Sequence, residues 1–256
     1  MCTLTIIPCS DDEAPAGFRL ATNRDELRTR APARPPQKRP VGDVCAAWPV
    51  DADAGGTWVG VNARALALCL LNAHPKSAPD SGADGRRRSR GEIIPTLLDA
   101  ETATEAIERC GEMSLVEFAP FVLVGVDASA IVRAAWDRRS LTVEREPLAP
   151  KCIVSSGLGD ALVRPRVELF DEFLRERGPT ATMQDAFHTH AWPDRPEVSV
   201  RMRRDDARTL STTVVECVRS GADARVRMLH IDDDGEHALM LRDGAGAPDH
   251  ALVSPC

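Results

Sequence analysis

The sequence contains no tyrosine and few other aromatic residues, since Phe, Trp and Tyr make up only 4 % of its 256 residues. A surface that stacks nucleic-acid bases needs aromatic side chains, so this scarcity argues against one. The chain also lacks an excess of basic charge, with 32 Lys and Arg against 39 Asp and Glu and a formal net charge of −7. Nucleic-acid binding depends on a net basic face. We therefore expect no nucleic-acid partner.

Long apolar runs are also missing. The longest, ALALCLL (65–71), is much shorter than the roughly 20 residues that a membrane-spanning helix needs. The N-terminus shows no basic stretch followed by a long apolar region, which a secretory signal peptide would have. We expect a cytoplasmic protein without an integral membrane segment.

Metal-ligand patterns are absent as well. The eight cysteines form no C-x-x-C pair, and no histidine lies near them at the spacing of zinc ligands. His188 and His190 are two residues apart on a predicted helix, so they point to different faces. We expect no metal site, and reduced thiols as is usual in the cytoplasm.

The composition that remains is that of one globular domain. Hydrophobic residues make up 43 % and charged residues 28 %, enough apolar material for a sizeable core, and no linker or repeat divides residues 1–256.

The proline-rich segment Arg30–Pro40 predicts an extended surface loop, because proline fits neither a helix nor a central strand. Hydrophobic spacing predicts strands, then helices, a hairpin, more helices and C-terminal strands, an α+β pattern with antiparallel sheets. The predicted strands are 3–8, 18–23, 55–62, 65–72, a hairpin over 118–137, 151–155 and several after 198; the predicted helices are 92–100, 102–111, 161–176 and 183–188.

A cysteine directly follows the first methionine, at the start of the β-branched run MCTLTIIP. Initiator methionine is normally removed when the second residue is as small as cysteine. Removal would give Cys2 a thiol and a free α-amine, whose pKa of about 7.7 to 8 lets it accept a proton near neutral pH. A nucleophile that carries its own base is the basis of N-terminal-nucleophile catalysis. Judged by position alone, a cysteine at residue 2 is more often incidental than catalytic.

Polar side chains follow two of the predicted strands. In ATNRDE (21–26), Arg24 beside a thiol would favour the thiolate, and Asp25 would orient the α-amine; the plainer interpretation is a solvated turn with an Arg–Asp pair. Asn72 ends an apolar strand. Its amide either donates to a developing oxyanion or starts the next turn. No histidine belongs to these motifs as we interpret them, which argues against a Cys-His protease.

Several of these motifs occur together in one order: Met-Cys-Thr, ATNRDE, GGTWVGVN (55–62), LLN (70–72) and SRGEIIP (89–95). This combination resembles the NRDE-domain family, also called the transport and Golgi organisation 2 family. CIVSSGLGDALVRPR (152–166) and ARTLSTTVV (207–215) resemble later blocks of the family, so the similarity covers most of the chain. The family is grouped with the N-terminal-nucleophile hydrolases. The resemblance therefore implies a four-layer αββα sandwich of antiparallel sheets.

The resemblance also implies roles for particular residues. The implied catalytic residues are Cys2 as nucleophile, Arg24 and Asp25 beside it, and Asn72 in the oxyanion hole. The implied substrate-binding residues are Asn23, Arg90 and Arg208, the last as the match for a late arginine. The sequence departs from the pattern in two places: Ser155-Ser156-Gly157 replaces a block that contains Asn, and Ala65 stands where the family often has Gly.

Two functions are compatible with this resemblance. The first is an N-terminal cysteine amidohydrolase that cleaves a linear non-peptide amide or acyl bond of a small molecule and requires no cofactor. The second is a non-catalytic haem or lipid handling protein, in which haem or another hydrophobic ligand occupies the pocket of a retained hydrolase scaffold. Neither the substrate nor the oligomeric state follows from the sequence.

Overall fold

A computed structural model of the chain describes residues 2–9, 17–74, 88–157, 159–220 and 223–242. Within these ranges the strands fall into two antiparallel sheets. The first sheet has the order β10–β1–β2–β11–β12–β13, formed by β1 (Cys2–Cys9), β2 (Gly17–Leu27), β10 (Lys151–Ser155), β11 (Ala207–Ser220), β12 (Asp223–Asp232) and β13 (Gly235–Arg242). The second sheet runs in chain order, formed by β3 (Arg34–Val41), β4 (Val44–Val50), β5 (Val59–Asn62), β6 (Ala67–Asn72), β7 (Phe121–Val126), β8 (Ala130–Trp136) and β9 (Leu141–Pro147).

The helices cover the outer faces of both sheets. They are α1 (Ala103–Gly111), α2 (Asp160–Val163), α3 (Pro165–Arg177) and α4 (Ala181–Thr189), with short 3-10 turns at Arg90–Glu92, Ile94–Thr96, Leu115–Glu117 and Pro196–Val198. Thr102 caps α1, since its hydroxyl accepts a hydrogen bond from the amide of Glu105 at 3.1 Å. The carboxylate of Glu105 in turn accepts a hydrogen bond from the amide of Glu101 at 2.8 Å.

Three hydrophobic cores hold these layers together. The first lies between the sheets and joins Leu4 and Leu20 to residues such as Val61. A second packs α1 and the adjacent 3-10 turns onto the seven-stranded sheet, and a smaller one packs α3 and α4 against Ile7. The order of layers is therefore helix, sheet, sheet, helix, which confirms the predicted α+β sandwich.

Several predicted elements are different in the structure. The segment Arg30–Pro40 contains the strand β3 rather than a loop, which is tolerated because β3 is an edge strand that pairs only with β4 and has a register shift at its two adjacent prolines. Pro95 limits residues 92–100 to 3-10 turns. The helix predicted over 161–176 is divided before Pro165. Between β6 and the 3-10 turn at Arg90–Glu92, residues 75–87 lie outside the described part.

Other differences are smaller. Residues 198–202 form the end of a 3-10 turn and irregular chain rather than a strand, and strands β4 and β9 were not predicted. Ala65 adopts φ 63°, a left-handed conformation that glycine adopts more easily than alanine. Cys45 is disulfide-bonded, which corrects the expectation of reduced thiols at that position. No described helix has the length and apolar composition needed to cross a membrane.

Two glycines allow the turn around Arg90 to reach the seven-stranded sheet. Gly56 precedes β5 and lies against Gly91, and the amide of Thr57 donates to the carbonyl of Gly91 at 3.0 Å. A Cβ atom built on Gly56 would lie 2.5 Å from the carbonyl carbon of Gly91, closer than a side chain can approach backbone. This contact brings the motifs GGTW and SRGE together.

We expect Gly56→Ala to lower the free energy of unfolding by about 1–3 kcal/mol, because the added methyl group overpacks a backbone contact. Urea unfolding followed by circular dichroism measures the loss. Gly111→Ala is the matched control, since its Cβ would meet its nearest neighbour at an ordinary 3.5 Å. Equal stability of the two variants would show that the Gly56–Gly91 contact is not a constraint.

Candidate active site

A pocket of about 340 Å³ opens where β1, β2 and β6 end, between the two sheets. Residues that are far apart in sequence meet in its lining, among them Cys2, Arg24, Glu26, Trp58, Asn72 and Arg90. Four of the residues predicted from sequence therefore share one pocket. They come from three different strands and a 3-10 turn, so only the packing of the two sheets brings them together.

Cys2 begins β1, with Arg24 of β2 opposite it on one side and Ser155 of β10 on the other. It is half-buried, and it packs against the core between the sheets. Burial raises the pKa of the Cys2 thiol, while the positive charge of the chain terminus and a hydrogen bond from the amide of Asp25 lower it. The carboxylates of Asp25 and Glu26 add to the increase.

The tetrapeptide Asn23-Arg24-Asp25-Glu26 is divided between the two faces of its sheet, because successive side chains of a strand point in opposite directions. Arg24 and Glu26 face the pocket between the sheets. Asn23 and Asp25 face the helices on the outside, where they bond to residues of α3, α4 and β11. The motif thus supplies two side chains to the pocket and two that bond the strand to the outer helices and to β11.

Arg24 is 3 % exposed and lies across the wall of the pocket. Its Nη2 donates to the carboxylate of Asp51 at 2.7 Å, and its guanidinium carbon lies 4.7 Å from the ring centre of Trp58. Arg30 also pairs with Asp51. Burial dominates the pKa of the neighbouring thiol, so the thiolate-favouring role of Arg24 stays a prediction.

Asp25 is buried with Arg166 on the helix-covered face, and both side chains have no exposed area. The Arg166 guanidinium lies 3.3 Å from one carboxylate oxygen, and the hydroxyl of Thr209 donates to the other at 2.6 Å. Burial raises the pKa of Asp25, and the attraction of Arg166 lowers it in part. Arg166 also donates to the hydroxyl of Thr3 at 2.7 Å, so it links α3 to β1 directly behind Cys2.

Asn72 ends β6 and is half-buried in the lining of the pocket. Its backbone carbonyl accepts a hydrogen bond from the hydroxyl of Ser155. Because Ser155 lies opposite Cys2 in the first sheet, this bond fixes the end of β6 beside the end of β1. Ser155 therefore has a structural role here.

The three predicted substrate-binding residues have different surroundings. Arg90 lines the pocket. The amide of Asn23 is bonded within the fold, donating to the carbonyls of His188 and Val200 at 3.0 Å each. Arg208 pairs with Asp233 and does not belong to the pocket lining. Substrate contact by Asn23 and Arg208 stays a prediction, and the structure does not bring either one into this pocket.

Sequence reasoning missed several residues around the site. Glu26 and Trp58 lie inside motifs that were recognised, but only strand alternation shows that they face the pocket. His74 lies two residues after Asn72, outside the motif; burial lowers its pKa first, and the charges of the chain terminus and Arg90 lower it further. Asp51 belongs to no motif. In the described part of the chain no group of three His, Cys, Asp or Glu side chains is arranged to hold a metal ion.

Several solved structures have a similar fold, and they are N-terminal-nucleophile-hydrolase-like. Penicillin V acylase from Agrobacterium tumefaciens superposes with a TM-score of 0.58 at 13 % identity, covering 92 % of this chain and 85 % of the acylase. An N-acylethanolamine-hydrolyzing acid amidase orthologue from Caenorhabditis elegans superposes with a TM-score of 0.55 at 12 % identity, covering 84 % of this chain and 92 % of the amidase. A variant of the conjugated bile acid hydrolase from Clostridium perfringens superposes with a TM-score of 0.55 at 9 % identity, covering 92 % of each chain. These similarities show a shared fold.

Within that fold class, the chain belongs to the transport and Golgi organisation 2 family, whose family model matches residues 1–189. The match includes the strands that carry Cys2, Arg24 and Asn72. No curated protein matches this sequence.

We expect Arg166→Met to destabilise the protein by about 3–5 kcal/mol at neutral pH, because it leaves the Asp25 carboxylate buried without its charge partner. Loss of Arg166 also raises the pKa of Asp25 further above its unfolded value of about 3.9. The folded variant then retains a proton that the unfolded chain releases, so its stability falls as the pH rises between those two pKa values.

Urea unfolding at pH 5 and pH 8 tests this expectation, and the loss should be larger at pH 8. Arg133→Met is the control, since its pair with Glu144 is partly exposed and should contribute less than about 1 kcal/mol. Adding Asp25→Asn to Arg166→Met should remove the pH dependence. A loss of the same size at both pH values would contradict the assignment to Asp25.

We expect Glu26→Gln to make Cys2 more reactive at neutral pH, because the Glu26 carboxylate raises the pKa of the thiol. Below that pKa the thiolate fraction rises tenfold for each unit of decrease, so the rate with iodoacetamide at pH 7 should increase by roughly threefold to tenfold. The two proteins should converge at high pH. Glu144→Gln, on the surface of β8's neighbour β9, is the control; identical pH profiles for Glu26→Gln and the parent protein would refute the effect.

Proposed function

We propose that this protein is an N-terminal cysteine amidohydrolase that acts on a linear non-peptide amide or a similar acyl bond of a small molecule. The observation that carries the proposal is the pocket itself, where Cys2 at a strand end meets Arg24 and Asn72. A nucleophile, a cation and an amide donor around one cavity are the groups that acyl transfer requires. We also expect the protein to act in the cytoplasm.

The reaction starts with the transfer of the Cys2 proton to the α-amine that removal of Met1 exposes. The sulfur attacks the acyl carbon, and the side-chain amide of Asn72 donates to the oxygen that becomes negative. Collapse of this intermediate breaks the C–N bond, and the protonated α-amine supplies the proton that the leaving amine needs. Water then hydrolyses the thioester and releases a carboxylic acid. No step requires a cofactor.

Removal of Met1 has an electrostatic effect as well as a chemical one. The positive charge of the chain terminus already lowers the pKa of the Cys2 thiol. Removal would move this charge one residue closer to the sulfur, and Coulomb attraction grows as the distance falls. Burial raises the pKa of the Asp25 carboxylate, and the charges of Arg166 and of the chain terminus lower it in part. In the mature protein this carboxylate would hold the amine near β2.

The alternative is a non-catalytic haem or lipid handling protein. Sites for such ligands are lined mainly by apolar and aromatic side chains. Four arginines and two carboxylates line this pocket. We therefore favour hydrolysis, and we keep haem binding as an outcome that experiment can distinguish.

Intact-mass analysis and N-terminal sequencing should show that the native protein begins with Cys2. A thiol-reactive acyl probe should then label the protein, and Cys2→Ala should abolish that labelling. Cys9→Ala is the matched control, because Cys9 is half-buried at the other end of the same strand and should have no effect.

A retained Met1 would rule out the mechanism, because the α-amine would no longer belong to Cys2. Equal labelling of Cys2 and Cys9 would remove the case for a privileged nucleophile. A saturable haem absorbance shift that survives Cys2→Ala, without amide hydrolysis, would favour the alternative.

A further inference from the structure

The pocket is positively charged although the chain as a whole is acidic. The chain has a formal net charge of −7. The pocket lining contains four arginines against Glu26 and Asp51, so its side chains carry two more positive than negative charges. An acidic protein with a basic cavity attracts anions to that cavity selectively.

The arginines of the lining differ in their partners. Arg24 and Arg30 pair with Asp51, and Arg88 pairs with Glu92 at 2.9 Å. Arg90 forms no ion pair with any residue that the structure describes. Its Nη1 donates to the carbonyl of Pro120 at 2.7 Å.

Arg90 is also partly removed from water, and this burial lowers the pKa of its guanidinium. Negative charges at Cys2 and at Glu26 raise that pKa again, so the Cys2 sulfur and the Glu26 carboxylate are both within electrostatic reach of Arg90, although Glu26 forms no ion pair with it. A desolvated guanidinium without a carboxylate partner is costly, and an anionic ligand would offset the cost.

A second pair of donors lies across the same pocket. The Nη1 atom of Arg24 and the Nε1 atom of Trp58 are buried, and neither has a hydrogen-bond partner among the described residues. The two side chains are 3 % and 8 % exposed and are stacked, with the guanidinium carbon 4.7 Å from the ring centre. Both N–H groups can only donate, so their missing partner is an acceptor.

We propose that the substrate carries a carboxylate group, which Arg90 and the Arg24–Trp58 donor pair bind beside Cys2. A planar carboxylate has two oxygens, enough to accept from a guanidinium and from an indole N–H together. Glu26 works against any anion here, but the lining retains its positive excess. This assignment names the substrate class of the amidohydrolase proposed above, and as a statement about substrate it rests on that proposed function.

Two alkylating reagents test the site without any turnover. Iodoacetate and iodoacetamide both form an S–CH2 bond with a cysteine thiolate and release iodide, and they differ only in a carboxylate in place of an amide. Peptide mapping by mass spectrometry gives both rates at Cys2 and, in the same sample, at Cys9 as the internal reference. The ratio of the iodoacetate to the iodoacetamide rate should be about tenfold higher at Cys2 than at Cys9, the size expected for one charge-assisted hydrogen bond.

Three variants assign the preference to its residues. Arg90→Gln keeps a donor for the carbonyl of Pro120 but removes the charge, and should lower the ratio at Cys2 towards that at Cys9. Trp58→Phe removes only the indole N–H and keeps a ring under Arg24, and should lower the ratio in the same direction. Arg88→Gln removes a neighbouring charge that is already paired, and should change the ratio by less than about twofold.

A protection experiment identifies the anion. Hexanoate should slow the alkylation of Cys2 by iodoacetamide, and hexanamide at the same concentration should not. Equal protection by inorganic phosphate would overturn the carboxylate assignment in favour of a general anion site. Equal ratios at Cys2 and Cys9, or a ratio that neither Arg90→Gln nor Trp58→Phe changes, would overturn the proposal entirely. Because alkylation needs neither removal of Met1 nor hydrolysis, its outcome is independent of whether the protein is an amidohydrolase.

Discussion

Side chains alternate between the two faces of a strand, and in β1 and β2 this alternation separates the chemistry of the site from its support. The even-numbered side chains Cys2 and Arg24 face the cavity between the sheets, while Thr3 and Asp25 face the helices. A shift of one residue in the pairing of these strands would exchange the two sets. The buried Arg166, which contacts both Thr3 and Asp25, holds that register from the outer layer. The position of Cys2 at the start of β1 therefore depends on an ion pair on the opposite face of the sheet.

The second sheet completes the site because it lies directly over that cavity. It supplies Trp58, Asn72 and Asp51, of which Asp51 neutralises two arginines of the wall. The close backbone contact between Gly56 and Gly91 brings a third segment into the same wall. A cavity built from several segments in this way partly shields its polar side chains from water, and the lower local dielectric constant strengthens their electrostatic interactions. The raised pKa of the Cys2 thiol is one consequence of the same burial.

Much of the fold follows from local patterns. Hydrophobic spacing predicted β1, β2 and most other strands, and it predicted the helix over 102–111 that the structure has as α1. The loop predicted over Arg30–Pro40 was wrong because position in the sheet outweighed local preference: the prolines of β3 are accommodated because it is an edge strand. For the site, motif order indicated Cys2, Arg24, Asn72 and Arg90, which the structure brings into one pocket. The surroundings of Asn23 and Arg208 depend on partners in distant segments, which spacing along the chain does not reveal.

The amino-acid sequence by itself determined the kind of chemistry available here: a cysteine at position 2, an Asn-Arg-Asp-Glu motif on the neighbouring strand, and an acidic, tyrosine-free chain. Family membership follows from the same residues in their order. Only the tertiary structure decided which members of the motif face the cavity, which arginines already have a partner, and which buried donors lack one. The physical reason is that sequence sets side-chain chemistry and strand periodicity locally, whereas burial and charge pairing depend on segments that meet only when two sheets pack together.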